Sequence, residues 1–186
     1  VVGLALAQLT SLWLIAVGAA AIFAAWTYTG SKRPYGYLGL GEISVFLFFG
    51  VVATMGSYYV QTEKLTWQSF VVAIPMGLLA CALLAINNLR DRAQDELVGK
   101  RTLAVRLGES RARKLFIALL LLAHISALAV PGKNTLITLA LLPQTFIIAN
   151  QVRSGATGPA LIPLLGRTGE LQIIFAFLLA LALVMY

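Results

Sequence analysis

Residues 87–108, NNLRDRAQDELVGKRTLAVRLG, form the one long polar stretch in a chain that otherwise consists of apolar runs. Within it, Asp91 and Asp95 have the spacing D-x-x-x-D, and Lys100 and Arg101 follow them. The Leu, Arg, Ala, Gln and Glu residues around the pair favour a helix, which would place both carboxylates on one face. Two such carboxylates can hold Mg²⁺, whose other positions go to water and phosphate oxygens. The stretch therefore predicts a site for a diphosphate and its metal.

Composition places the chain in a membrane. Hydrophobic residues make up 60% of its 186 residues and charged residues 11%, whereas a soluble domain carries about 25% charged residues. The apolar runs are long and continuous instead of alternating with polar residues, as membrane strands do. We therefore predict an all-α, polytopic transmembrane helix bundle.

The polar gaps divide the chain into six predicted spans and a short leading segment. The spans are residues 12–28, 43–59, 67–86, 115–130, 135–150 and 171–186. Residues 152–168 are predicted to form a loop that lies against the membrane. Residues 1–9 are apolar but reach only about 13 Å as a helix, too short to cross. We expect the chain to begin inside a helix and to be a piece of a longer protein.

The basic residues indicate which ends of the spans face the cytoplasm. Twelve of the 14 Lys and Arg residues fall in three connections on one side, at 32–33, 87–114 and 150–168, and only Lys64 and Lys133 fall on the other. Cytoplasmic loops carry such an excess of positive charge, so the first side is predicted to be cytoplasmic. The same rule explains the net charge of +7 and makes a nucleic-acid partner unnecessary.

Three phrases resemble the UbiA superfamily of intramembrane prenyltransferases, most closely its 1,4-dihydroxy-2-naphthoate polyprenyltransferase branch. The phrase NNxRDxxxDxxxGKRTLAVRLG at 87–108 is similar to the second aspartate-rich motif of that branch. YTGSKRPYGYLGLGE at 28–42 is similar to the cytoplasmic loop between two central helices of the family, and TGPALIP at 157–163 gives further support. The likeness extends over nearly the whole chain.

The resemblance implies both an architecture and a reaction. The family fold is a bundle of nine transmembrane helices, so residues 1–186 would form a single prenyltransferase domain that lacks the first three helices' worth of it. The reaction would move a polyprenyl chain from its diphosphate to 1,4-dihydroxy-2-naphthoate, with loss of carbon dioxide, to give demethylmenaquinone. The implied cofactor is Mg²⁺, and the implied surroundings are the lipid of a bacterial inner membrane, with the active site facing the cytoplasm.

The resemblance also assigns site residues by their positions in the matching motifs. Asp91 and Asp95 would hold the metal and act in catalysis. The residues implied to bind the diphosphate are Lys32, Arg33, Asn88, Lys100 and Arg101. Tyr28, at the start of the central loop, would face the acceptor or the developing allylic cation.

One departure from the family leaves other functions open. The family has a first aspartate motif, but no second D-x-x-x-D and no N-D-x-x-D occurs in this chain, so half of the metal site is expected to lie outside it. The alternatives are a UbiA-type enzyme with another aromatic acceptor, a cation transporter and a non-catalytic membrane subunit. A transport site usually lies at the membrane midplane, whereas Asp91 and Asp95 are predicted at the cytoplasmic side.

Overall fold

The computed structural model describes residues 1–32 and 34–185, and every regular element in that part of the chain is helical, as predicted. The α-helices are α1 (Val2–Leu9), α2 (Trp13–Thr29), α3 (Gly41–Val45), α4 (Ala53–Thr62), α5 (Trp67–Leu97), α6 (Leu103–Leu107), α7 (Glu109–Ala127), α8 (Leu142–Arg153) and α9 (Ile162–Val184). A π-helical segment, Phe46–Val52, joins α3 to α4, and 3-10 segments occupy Tyr35–Leu38, Lys133–Leu141 and Gly158–Leu161.

Four helical segments of the described chain are long and apolar enough to cross a membrane. They are Gly41–Thr62, Trp67–Leu97, Asn134–Arg153 and Gly158–Val184. The predicted spans at 12–28 and 115–130 correspond to α2, an apolar helix of 17 residues, and to α7, which begins with charged residues. An all-helical membrane bundle is thus confirmed, while the six-span arrangement stays a prediction.

Helix α5 is the central element of the bundle, with its neighbours α7, α9 and the π-helical segment packed around it. It begins with a capping box in which Thr66 Oγ1 accepts a hydrogen bond from the Ser69 N–H at 3.1 Å and Ser69 Oγ accepts one from the Thr66 N–H at 3.3 Å. The helix continues through Pro75 for 31 residues. Its apolar part is buried in one core with α7 and α9, which includes Leu79, Ile86, Phe116, Leu120 and Phe175.

A close crossing holds the π-helical segment against α5. A Cβ atom built on Gly50 would lie 2.5 Å from the Cα atom of Gly77 and 3.3 Å from the Ala73 carbonyl oxygen. Backbone atoms cannot move away as the end of a side chain can, so the two helices approach this closely only because both positions are glycine.

The start of α9 corrects the sequence prediction. The loop predicted over 152–168 and the span predicted from residue 171 are wrong for 162–168, because α9 begins at Ile162. Pro163 lies in its first turn, where a residue without an N–H is tolerated. Thr168 is fully buried and donates to the Leu164 carbonyl oxygen at 2.8 Å. The Pro and Gly residues here initiate and accommodate a helix where we expected them to interrupt one.

A buried arginine fixes the start of α7 to the last turn of α8 and to the chain that follows it. Arg113, 8% exposed, donates to the carbonyl oxygens of Val152 and Ala156 and to Glu109 Oε1. Its hydrogen bond to Glu109 holds the pKa of that carboxyl below its usual value. Arg113, one of the eight basic residues assigned to the cytoplasmic connection 87–114, thus also has a structural role.

Candidate active site

The structure brings the two longest motif phrases together around one polar cavity. The Arg101 N–H donates to the Tyr37 carbonyl oxygen at 2.9 Å, which joins the central loop to the segment after α5. The cavity between them has a volume of about 220 Å³. Its lining residues are Tyr28, Gly36, Tyr37, Leu84, Asn87, Asn88, Asp91, Asp95, Lys100 and Thr102.

Asp91 and Asp95 lie on the cavity side of α5, one helical turn apart, but their surroundings differ. Both carboxylate oxygens of Asp91 accept from the Arg90 guanidinium, at 2.7 and 2.6 Å, and the Asp91 side chain is 40% exposed. Asp95 is 10% exposed, and its Oδ1 lies 3.3 Å from Lys100 Nζ. Asp95 is therefore the more enclosed carboxylate of the pair, and it is balanced by a cation that also lines the cavity.

The end of α5 explains how Lys100 reaches Asp95. The Lys100 N–H donates to the Asp95 carbonyl oxygen at 2.8 Å, and the Gly99 N–H donates to that of Glu96 at 3.2 Å. These two bonds form a Schellman motif, which requires a residue with positive φ, and Gly99 has φ of 76°. The turn sends the chain back along the helix and places Lys100 Nζ 4.9 Å from the centre of the Tyr37 ring.

The other predicted diphosphate ligands differ in position. The Arg101 side chain is exposed, and its backbone makes the contacts, with its carbonyl oxygen accepting from Arg106 Nε at 2.9 Å. Lys32 is exposed and is not among the described residues that line the cavity. Arg33 lies outside the described residues. The structure thus brings Asn88 and Lys100 to the two aspartates, and it leaves the side chains of Arg101 and Lys32 outside.

Two apolar cavities adjoin the polar one at Leu84, which lines all three. The first, of about 380 Å³, shares Asn87 with the polar cavity and extends past Val45 and Phe49 to Leu165 of α9. The second, of about 420 Å³, shares Tyr28 with the polar cavity and is lined by Ala21, Ala24, Ala25, Tyr35, Ser44, Val45, Phe48 and Phe49. A ligand with a charged head and an apolar body could therefore reach from one environment into the other.

Tyr28 stands at the junction and is held there by a second tyrosine. The rings of Tyr28 and Tyr35 meet edge to face with centroids 5.4 Å apart. The Tyr35 hydroxyl lies 3.0 Å from the Ala24 carbonyl oxygen and 2.8 Å from Ser44 Oγ. Tyr28 thus lines both the polar cavity and the second apolar cavity.

Several residues at the site were not among the site residues predicted from the sequence, and Thr102 and Glu42 are two of them. Thr102 lines the polar cavity, and Glu42 accepts a hydrogen bond from Asn88 Nδ2 at 3.2 Å. Thr102 directly follows the Gly-Lys-Arg of the motif, which is the signal that could have identified it. Glu42 is a lone carboxylate at the start of an apolar run, and such a residue is by itself as consistent with the N-terminus of a helix.

The donor atoms at the polar cavity fit a hard divalent cation. The carboxylates of Asp91 and Asp95 and the amides of Asn87 and Asn88 offer oxygen, the donor that Mg²⁺ prefers, and Mg²⁺ needs only one or two protein carboxylates. The described residues contain no group of three or more His, Cys, Asp and Glu side chains that could hold a metal. The set therefore suits a cation that shares its coordination with an anionic ligand and water.

Comparison with known proteins agrees with the family resemblance of the motif phrases. The model of the UbiA prenyltransferase family matches residues 1–158. A 1,4-dihydroxy-2-naphthoate octaprenyltransferase of Mycobacterium tuberculosis is 44% identical over 97% of this chain, and one of Escherichia coli is 51% identical over 56% of it. The human UbiA prenyltransferase domain-containing protein 1 is 33% identical over 69% of the chain.

These matches concern only part of each relative. The chain spans 63% of the mycobacterial protein, 34% of the Escherichia coli protein and 39% of the human one. The family model nevertheless covers most of this chain, including both phrases that meet at the polar cavity. The chain belongs to the UbiA prenyltransferase family.

Proposed function

We propose that the protein transfers a polyprenyl chain from its diphosphate to 1,4-dihydroxy-2-naphthoate and releases carbon dioxide, giving demethylmenaquinone in its reduced form. The observation that carries this proposal is the convergence of Asp91, Asp95 and Lys100 on a polar cavity that adjoins two apolar ones. The names of the bacterial relatives supply the acceptor and the kind of chain.

The polar cavity would bind the diphosphate. Asp91 and Asp95 would hold Mg²⁺ with their carboxylate oxygens, and Lys100 would face the negative charge that grows on the leaving group. Mg²⁺ at such a site supplies Lewis-acid neutralisation of the diphosphate. Thr102 would contact the same head group from the cavity wall, and Asn88 would act on it through the cation beside it. Lys32, Arg33 and Arg101 remain proposals as diphosphate ligands, with a smaller contribution expected from Arg101 than from Lys100, because the Arg101 side chain is exposed.

The apolar cavities would take the prenyl chain and the aromatic acceptor, whose transfer from water they favour. The bond between the allylic carbon and the diphosphate oxygen breaks, and the oxygen keeps the electron pair. The ring carbon that carries the carboxylate then forms the new bond to the allylic carbon. Carbon dioxide leaves, and its bonding pair restores the aromatic ring. The face of Tyr28 would stabilise the positive charge on the allylic carbon.

We further propose that this domain crosses a bacterial inner membrane six times, with the polar cavity at the cytoplasmic side. The proposal is supported by the four long apolar helices and by the asymmetry of Lys and Arg among the connections. The water-soluble naphthoate would then enter from the cytoplasm, and the diphosphate head group would reach the cavity from the same side while the polyprenyl chain stays in lipid.

The test is a product assay on the full-length protein in lipid nanodiscs with octaprenyl diphosphate, Mg²⁺ and either 1,4-dihydroxy-2-naphthoate or 4-hydroxybenzoate. We expect mass spectrometry to find a prenylated product that lacks the carboxylate, and only with the naphthoate. A product from 4-hydroxybenzoate alone would assign the protein to another acceptor. Absence of product with either acceptor would contradict the proposed reaction.

A further inference from the structure

Glu42 presents a carboxylate where packing alone would favour an apolar residue. It lies in the first turn of α3, at the start of a membrane-spanning segment. Its Oε1 accepts the hydrogen bond from Asn88 Nδ2, and its Oε2 is buried without a hydrogen-bond partner among the described residues. A carboxylate removed from water and only partly compensated is costly. The cost points to a role other than packing α3 against α5.

The partner of Glu42 lies on the same face of α5 as the two aspartates. Asn88 precedes Asp91 by three residues and Asp95 by seven, which are the spacings that align side chains along a helix, and all three line the polar cavity. Asn88 turns its nitrogen towards Glu42, because Nδ2 is the atom that donates to Glu42 Oε1. The amide oxygen of Asn88 is then left free for the cavity.

We propose that Glu42 is a positioning residue that fixes the Asn88 amide so that its oxygen serves, with Asp91 and Asp95, as a third donor to the divalent cation. The inference rests on the proposed function, because it concerns the cation that accompanies the diphosphate. Groups that orient a metal ligand through a hydrogen bond typically change metal affinity by about 10- to 100-fold when they are removed.

The reason for that loss is the two-sided chemistry of an amide. When the carboxylate is absent, the Asn88 side chain can rotate and present its NH₂ group to the cavity. This group is a donor with partial positive charge, so it opposes a cation that the oxygen would bind. Glu42 would therefore act without touching the cation, the diphosphate or the acceptor.

The experiment measures the affinity of the full-length protein for Mn²⁺, used as a spectroscopic probe for Mg²⁺, by the disappearance of the free-ion resonance in detergent solution without substrates. We expect Glu42→Leu to weaken Mn²⁺ binding about 10- to 100-fold. Glu42→Gln should weaken it less, because its amide oxygen can still accept from Asn88. Glu63→Gln, at the exposed far end of the same helical segment, is the matched control and should bind as the wild type does.

A double-mutant cycle tests whether Glu42 works through Asn88. Once Asn88→Ala has removed the amide, adding Glu42→Leu should weaken Mn²⁺ binding less than twofold. Melting temperatures recorded on the same samples separate a lost orientation from a lost fold. Equal Mn²⁺ affinity of Glu42→Leu and the wild type would overturn the inference about Glu42 but not the proposed metal site. Additive effects in the cycle would do the same. A wild-type protein that binds no Mn²⁺ would overturn the proposed metal site and this inference together.

Discussion

The two ends of α5 lie in different surroundings although they belong to one unbroken helix. Its apolar part, around Gly77 and Leu79, is buried against neighbouring helices and crosses the π-helical segment closely. Its last turns carry Asn88, Asp91 and Asp95 to the wall of a polar cavity. The comparison shows how one helix can serve two regions of the bundle: its apolar part packs in the core, and its rigidity holds the carboxylates at a fixed position on the cavity wall.

The largest effect should come from a single change at the polar end. Asp95→Asn removes one negative charge from the enclosed side of the cavity, and losing one such electrostatic group commonly costs about 10²–10³-fold in kcat. Steady-state prenyl transfer measures the loss. Glu96→Gln is the matched control, because the Glu96 side chain is 59% exposed and pairs with Arg92. Comparable losses in both variants would show that charge at the end of the helix matters, and not the cavity.

At the apolar end, a methyl group should act on stability instead of catalysis. Gly50→Ala drives a Cβ into the backbone of Gly77, and overpacking of this kind costs about 1–3 kcal/mol. We expect a lower denaturation temperature in detergent. Gly56→Ala lies on the same helical segment in open space and should be neutral or slightly stabilising. Equal denaturation temperatures of the two variants would show that stability does not depend on the close crossing.

A comparison of two neighbouring basic residues tests which side chain contacts the diphosphate. Lys100→Gln should raise the KM for the prenyl diphosphate about tenfold or more, since hydrogen bonds to charged groups are worth roughly 1.5–3 kcal/mol. Arg101→Gln should change it less than twofold, because the Arg101 side chain is exposed and only its backbone holds the central loop. Initial-rate kinetics measure the KM of both variants. A larger increase in KM for Arg101→Gln than for Lys100→Gln would contradict the arrangement in which only the Lys100 side chain faces the diphosphate.

A change in the turn that follows α5, at Gly99, should have a smaller effect on the KM for the diphosphate than Lys100→Gln. Gly99→Ala places a side chain at φ of 76°, which costs about 1–2 kcal/mol. Because opening the turn relieves this strain, we expect Lys100 to leave Asp95 and the KM for the diphosphate to rise several-fold. Gly166→Ala, on α9 in open space, serves as the control. An unchanged KM in Gly99→Ala would show that Lys100 does not depend on this turn.

The sequence was most informative where one residue type has one common use. Long apolar runs predicted the all-helical class, and a four-residue spacing predicted two carboxylates on one helix face. Proline was less informative, because it has several uses: the one at position 163 begins α9 within what we expected to be a loop, whereas the one at position 75 lies inside α5, within a span that the sequence predicted. Local pattern cannot distinguish these uses, because neighbouring helices supply the packing that makes them tolerable.

The candidate site shows the same limit. Lys100 and Arg101 look alike in the motif, yet the turn at Gly99 sends only the first side chain into the cavity. Glu42 and Asn88 are 46 residues apart and meet only because α3 packs on α5. The sequence motifs therefore predicted which segments meet at the candidate site, while tertiary contacts determine which of their side chains face the cavity.

The central claim is that the polar end of α5 binds the metal and the diphosphate for prenyl transfer. Its most direct test is the release of labelled carbon dioxide from carboxyl-labelled 1,4-dihydroxy-2-naphthoate by the full-length protein, with octaprenyl diphosphate, in the presence of Mg²⁺ or of a chelator. We predict release that requires both Mg²⁺ and the prenyl donor and that is lost in the double variant Asp91→Asn/Asp95→Asn. Undiminished release by the double variant would contradict the claim.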